Sequence, residues 1–435
     1  MKHPLLAALP FLFTTPSALA QIDTPLGPFH LTTLGATLLN RFVPELWTDL
    51  GLFRHTVKNV GQRACVRLTD GDDAGKAFGA AYPVNVEDIA MDRVGKIAFM
   101  GSDPVRRKAD GSRGWMPGSG FLDAEFGSSA EGAVWAYHYG KSEGGMTKLE
   151  IEPPLPSFHP HGMASLRLEN GTVRLFVVNH RAEVPYNKTA LYSVVEVLDY
   201  TPTTSSLDEP QERHTKLNHI TTIQHPHIYT PNNLSPISPT AFYVSNDHAA
   251  RSGTLRTLEE FAQYPSAWLT YCDFTRSVDC SVAYTGLRSA NGVATDGKGL
   301  VLVSEVSGGD VLAFRHHPST DSHTPPHLEL TTRYNLDYVP DNIGYDPVTD
   351  TFTPVGHPRA LAFLAFAEGH APTAPSWADA ITADGSISRV WSDDGGVVAG
   401  STVFEVDVEE DVAFVSGVYD QRGVVRCRVP EGFGR

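Results

Sequence analysis

Apolar residues along the chain come in short runs of strand length, broken by turns rich in Gly, Asn, Asp and Pro. One pattern recurs six times: a polar pair or small residue, an apolar strand, a short turn, then a second apolar strand that ends in polar residues. The copies are VEDIAMDRVGKIAFMGSD, HPHGMASLRLENGTVRLFVVNH, PNNLSPISPTAFYVSND, SANGVATDGKGLVLVSEV, PDNIGYDPVTDTFTPVGH and AGSTVFEVDVEEDVAFVSGV. Their anchors, Glu87, His161, Asn232, Asn291, Asp341 and Ser401, lie roughly 50 to 75 residues apart, room for a four-stranded antiparallel unit with its loops. Six such units packed radially make a β-propeller whose first strands line a central channel. The spacing therefore predicts an all-β, six-bladed β-propeller over residues 21–435. DGKG at 296–299 and ENGT at 169–172 fall where hairpin turns are needed. Helical periodicity is confined to an N-terminal extension at about 37–54 and to TLEEFAQY at 257–264, so few accessory helices are expected.

In that geometry Glu87, Asp88, Asn232, Asn233, Asn291, Asp341 and Asn342 converge at one end of the channel. Crowding so many acidic and amide side chains is unfavourable unless something satisfies them. A hard cation does so, and a flexible set of six to eight oxygens suits Ca2+ better than Mg2+. The lack of Cys and scarcity of His among the anchors disfavours zinc and copper. A hydrogen-bonded Asn/Asp plug is the alternative.

Composition narrows the partners and the compartment. A net charge of −16 argues against nucleic acid, which needs clustered Lys and Arg. The one basic cluster, VRRK at 105–108, reads as a solvated loop. Lys2 and His3 precede the apolar run PLLAALPFLF, and TTPSALA sets Ala18 and Ala20 before Gln21, as in a secretory signal peptide over residues 1–20. Secretion is expected; an uncleaved leader kept as a hydrophobic anchor is the other reading, with membrane association as its consequence. Four cysteines suit an oxidising compartment and allow three connectivities. Cys272 and Cys280 flank DFTRSVD and are expected to pair locally. Cys65 and Cys427 lie on the first and last segments of the mature chain, which closure of a propeller joins, so a ring-locking bridge is expected; unpaired or differently paired thiols are the alternative. Asn170 (NGT) and Asn187 (NKT) are candidate glycosylation sites.

In order along the chain, VEDIAM, FHPHGMASL, FVVNH, PNNL with FYVSNDH, SANGV, VPDNIGYDP, VGHP and GSTV resemble the serum paraoxonase/arylesterase family over about residues 60–430. The resemblance implies a six-bladed propeller with two Ca2+ ions in its tunnel, hydrolysing lactones and aryl esters and, in some members, organophosphate triesters. By position it implies a catalytic calcium held by Glu87, Asn232, Asn291, Asp341 and Asn342, and a structural calcium held by Asp88, the backbone carbonyl of Met163 and the position of Asn233. The family's histidine pair falls on His161 and His180, and Asp247, His248 and His357 fall around its pocket. Asn233 stands where the family typically has Asp, which removes a charge from the structural site. Asn233 also opens a sequon, NLS, but a channel ligand could not carry a glycan. Ser289 stands where a bulky aromatic is common. The insert at 102–131 and the stretch APTAPSWADAITADGS have no counterpart; a lid and plain surface loops are the two readings.

A Ca2+ ion with an open position polarises an ester or lactone carbonyl and stabilises the oxyanion, while His161, supported by His180, takes a proton from water. No serine-hydrolase reading competes well, and no H-E-x-x-H zinc site occurs. The expected function is a secreted, calcium-dependent hydrolase of small-molecule lactones and aryl esters. A sugar-lactone hydrolase and a non-catalytic, calcium-stabilised propeller that binds a partner are the rivals.

Overall fold

The computed structural model describes residues 21–24, 27–30, 51, 58–68, 82–140, 145–182, 193–202, 215–319 and 326–434. The expected leader at 1–20, almost all of the helical period at 37–54, and Asn187 lie outside the described residues.

Valine, isoleucine, phenylalanine and tyrosine at alternating positions form strands because their branched or flat side chains pack on a pleated surface. The strand Val173–His180 illustrates the consequence. Val173, Leu175 and Val177 face one apolar cluster while Phe176 and Val178 face another, so the sheet is buried on both faces. The same holds around the molecule. Six sheets follow one another in chain order, and six apolar clusters each join residues of two neighbouring sheets. The last of these interfaces sets Val403, Val412 and Phe414 against Met100, Trp135 and Tyr137 of the first sheet, which closes the ring. This is the six-bladed β-propeller. Burying each Val, Leu or Phe in these interfaces contributes about 1.5–3 kcal/mol.

The innermost strands are Ile89–Asp92, Pro160–Arg167, Pro231–Ser238, Ala290–Thr295, Val339–Asp346 and Val403–Asp407. Each begins within two residues of a predicted anchor. The sixth sheet takes its outer strand, Arg63–Arg67, from the N-terminal side, paired with Val425–Arg428. Cys65 and Cys427 form a disulfide across that pair, with Cα atoms 4.0 Å apart. Cys272 and Cys280 are bonded as a directly opposed cross-strand pair. Both expected bridges are present.

Three expectations need correction. The helix expected at 257–264 runs over Gly253–Phe261. A second helix, Ala360–Ala367, was not expected, because an unbroken apolar run carries no helical period. The stretch APTAPSWADAITADGS is mostly regular structure: it contains the third strand of the fifth blade, Ser376–Ile381, and the turn into Ile387–Asp393. Among the described residues no helix is long and apolar enough to cross a membrane. Asn170 lies exposed in a hairpin turn, where its Oδ1 accepts the Thr172 N–H at 3.0 Å.

Candidate active site

Four of the innermost strands slip out of register with their neighbours at the same place. The slips lie between Pro160 and Met163, Pro231 and Leu234, Ala290 and Val293, and Pro340 and Ile343. The residues pushed off the ladder are His161 and Gly162, Asn232 and Asn233, Asn291 and Gly292, and Asp341 and Asn342. In a regular strand adjacent side chains point to opposite faces; a bulge re-aims them. Both members of the Asn-Asn and Asp-Asn pairs can then serve the channel. Gly162 and Gly292 are required where neighbouring bulges press together: a Cβ on Gly162 would lie 2.4 Å from the Asn232 carbonyl oxygen, and one on Gly292 would lie 2.7 Å from the Asn342 Cα.

The converging side chains form two layers. In the outer layer Glu87, Asn232, Asn291 and Asp341 line a cavity of ≈ 150 Å³ with His161, His248 and His357. Glu87 Oε1 accepts the Asn342 amide at 2.7 Å. Glu87 Oε2, Asn232 Oδ1 and Asn291 Oδ1 are buried and accept no hydrogen bond from the described residues. Asp341 Oδ2 lies 3.1 Å from His357 Nε2. In the inner layer the Asp88 carboxylate accepts the Ile89 N–H at 2.9 Å, the Met163 N–H at 2.8 Å and the Asn233 amide at 2.9 Å. Met163, assigned a carbonyl contact by the resemblance, meets this layer through its N–H.

Burial, then the charges of Asp88 and Asp341, push the Glu87 carboxyl well above its ordinary range. Burial, with a smaller contribution from Asp341, pushes Asp88 up to about 7. Among the described residues no three His, Cys, Asp or Glu side chains group to hold a metal. The oxygens that converge here are instead two carboxylates and two amides, a donor set suited to a hard cation. The three partnerless oxygens fit such an ion.

His161 and His180 are brought together, with ring centroids 5.0 Å apart. They face different spaces. His161 lines the large cavity, its Nε2 3.9 Å from Glu87 Oε1. His180 faces a pocket of ≈ 20 Å³ beside Trp115, Leu122 and Tyr229, and its Nδ1 lies 2.8 Å from Ser193 Oγ. Burial, then the neighbouring charges of His180, Arg106 and Arg256, holds His161 well below the usual imidazole range. Burial and Arg106 lower His180 to about 3. Both rings are therefore neutral bases. Asp247 pairs with Arg256 at 2.5 Å and with His248 at 3.4 Å. Burial alone would raise its carboxyl, but Arg256 and His248 outweigh that and bring it down to about 2. Ser289 lines the cavity with φ +55°.

The insert covers this site. Its short hairpin, Trp115–Met116 with Phe121–Leu122, carries the Pro117–Ser119 turn over the cavity, where a Cβ on Gly118 would lie 2.9 Å from the His161 ring. Trp115 Nε1 donates to the His180 carbonyl at 2.7 Å, Ser119 Oγ lies 3.1 Å from Tyr419 Oη, and Arg113 pairs with Glu368. Of the two readings of the insert, the lid is the one the packing supports. VRRK is not a solvated loop: Arg106 and Arg107 are 1% and 9% exposed, Arg106 donating to the Pro160 carbonyl and Arg107 to that of Phe366. The missed helix supplies an apolar wall through Ala360, Phe363 and Leu364, with Phe363 stacked on His357 at 3.6 Å between centroids. Arg256 was also missed; its signal was the amphipathic helix beginning at Gly253.

A model of the arylesterase family matches residues 124–415. Glu87, Asp88 and most of the insert lie before that match. Serum paraoxonase/lactonase 3 of Oryctolagus cuniculus is 28% identical over 257 residues, 58% of this chain and 64% of that protein. This chain thus spans less than two thirds of that relative's length. Serum paraoxonase/arylesterase 1 of Mus musculus is 27% identical over 288 residues, 65% of this chain and 73% of that protein. Among solved structures, a catalytically inactive virginiamycin B lyase from Staphylococcus aureus matches with a TM-score of 0.38 and 10% identity, over 84% of this chain and 99% of that one.

Proposed function

The chain belongs to the arylesterase family, and on that premise we propose that it is a secreted, calcium-dependent hydrolase of lactones and aryl esters. The observation that carries the reading is the set of three buried, partnerless oxygens, on Glu87, Asn232 and Asn291, that opens with Asp341 into a covered cavity. These four residues hold Ca2+, and Asn342 orients Glu87 through its amide. The ion, when bound, supplies a Lewis acid for the carbonyl oxygen and the developing oxyanion.

The chain's own groups do the rest. His161 lines the cavity, its Nε2 on the Glu87 side, and is basic only in its neutral form. It takes the proton from the attacking water, and His180, held by Ser193, supports it from behind. Phe363, Leu364, Val418 and Tyr419 receive the apolar part of the ester, and the insert excludes bulk water. Two disulfides support an oxidising destination, and exposed Asn170 supports glycosylation.

The test is hydrolysis of a panel of lactones, phenyl esters and aryl phosphotriesters by purified protein, before chelation, after chelation and after calcium is restored. Lactone or phenyl ester turnover that disappears and returns is expected. Calcium-dependent melting without turnover of any substrate would assign the ion a purely structural role.

A further inference from the structure

We propose that the channel holds one calcium ion rather than two, and that the side-chain amide of Asn233 stands in for the second. This rests on the calcium reading of the outer layer, which it deepens.

The two layers differ in how their oxygens are satisfied. The outer layer has three buried acceptors without a donor among the described residues. The inner layer has no such acceptor. Asn233 Nδ2 donates to Asp88 Oδ2 at 2.9 Å and to Asn342 Oδ1 at 2.6 Å, bridging the two groups a cation would bridge. Ile89 and Met163 supply the remaining donors to Asp88 through their backbone N–H groups.

The orientation of that amide is determined at both ends. The end facing Asp88 and Asn342 meets a carboxylate oxygen and an amide oxygen fixed by its own partners, so it must be the NH2. The other end accepts the Leu234 N–H at 2.6 Å, so it must be the carbonyl. Turning Asn233 to offer oxygen to an ion would set its NH2 against the Leu234 N–H. It would also take a donor from Asp88 and another from Asn342. The Asn233 backbone packs tightly on Gly162 of the neighbouring strand, where even a single added Cβ would lie 2.6 Å from the Asn233 Cα, so it has little room to shift.

Charge points the same way. Asp88 is the sole anion of the inner set, whereas Glu87 and Asp341 give the outer set two negative charges, and calcium affinity follows ligand charge. Asn342 completes the arrangement: its Oδ1 accepts from Asn233 and its Nδ2 donates to Glu87, so a hydrogen-bonded chain from Asp88 to Glu87 replaces the inner ion.

The test counts ions. Protein dialysed against calcium and then buffer is assayed for bound calcium per chain by atomic emission, with calorimetric titration of chelated protein as a second count. One ion is expected for the natural chain. Two are expected for Asn233→Asp, which removes the NH2 and doubles the inner charge. Two ions in the natural chain would overturn the inference, as would one ion in folded Asn233→Asp. If that variant does not fold, the natural count decides alone. No bound calcium at all would overturn the calcium reading itself, and one bound ion without turnover would overturn the hydrolase reading only.

Discussion

Glu87→Gln is expected to change stability in opposite directions with and without calcium. Glu87 is 2% exposed, and in the chelated protein its carboxylate faces Asp88 and Asp341 with one oxygen unpaired. A like-charge pair near 4 Å costs at most about 4 kcal/mol at an effective dielectric of 20, and an unsatisfied buried acceptor adds about 1–3 kcal/mol. The raised proton affinity of Glu87 relieves part of this, so a net gain of about 2 kcal/mol is expected for glutamine. Its Oε1 still accepts from Asn342, and its new NH2 faces the unpaired amide oxygens. At about 2.1 cal/mol/K per residue over 435 residues, the unfolding entropy is roughly 0.9 kcal/mol/K, so the melting temperature in chelator rises by about 2 °C. With calcium, one of two ligand charges is gone. A thousandfold loss of affinity removes about 4.1 kcal/mol of ligand stabilisation, which leaves the variant about 2 kcal/mol below the natural protein. Thermal unfolding in chelator and in millimolar calcium reads both values. A shift of the same sign in both conditions would refute the assignment of Glu87 as a calcium ligand.

The split placement of the histidines predicts unequal effects on turnover. His161→Gln is expected to lower kcat by about 10²-fold or more, and His180→Gln by roughly tenfold, in ester hydrolysis at saturating calcium; equal losses would place both at the reacting water. The same rings predict acid lability. Their folded proton affinities are lowered, so as pH falls from about 6.5 the unfolded chain binds protons that the folded chain refuses, and stability drops by up to about 1.4 kcal/mol per pH unit per histidine. For His180 the loss levels off near pH 3. Urea midpoints between pH 7 and 5 should show a shallower slope in His180→Gln, and an unchanged slope would contradict its burial as a neutral base. Replacing Cys65 and Cys427 by serine should cost about 6 kcal/mol in urea unfolding, since the bridge closes a loop of 362 residues; a change under 1 kcal/mol would mean that strand pairing alone holds the ring.

The anchors were legible because strand-length alternation at a repeating interval needs no knowledge of partners. Each of the six lies within two residues of the start of an innermost strand. Cysteine placement was equally readable, because ring closure requires the two ends of the chain to meet. The buried arginines were not. Arg106 and Arg107 each donate to a carbonyl, of Pro160 and Phe366, 54 and 259 residues away, and no local feature of VRRK announces those acceptors. The helix at Ala360–Ala367 was hidden for a different reason: ALAFLAFA has no polar face to reveal its period.

By itself the sequence determined the number of blades, the residues at the head of each innermost strand and the disulfide framework, since periodicity and order along a chain are local quantities. What only the tertiary structure decided is the direction each anchor takes. Asn232 and Asn233 are adjacent and identical in type, yet a bulge leaves the oxygen of one unpaired at the cavity and spends the amide of the other on Asp88 and Asn342. That difference arises from bonds to other blades, and hydrogen-bond partners across a ring are set by packing rather than by the identity of the residue.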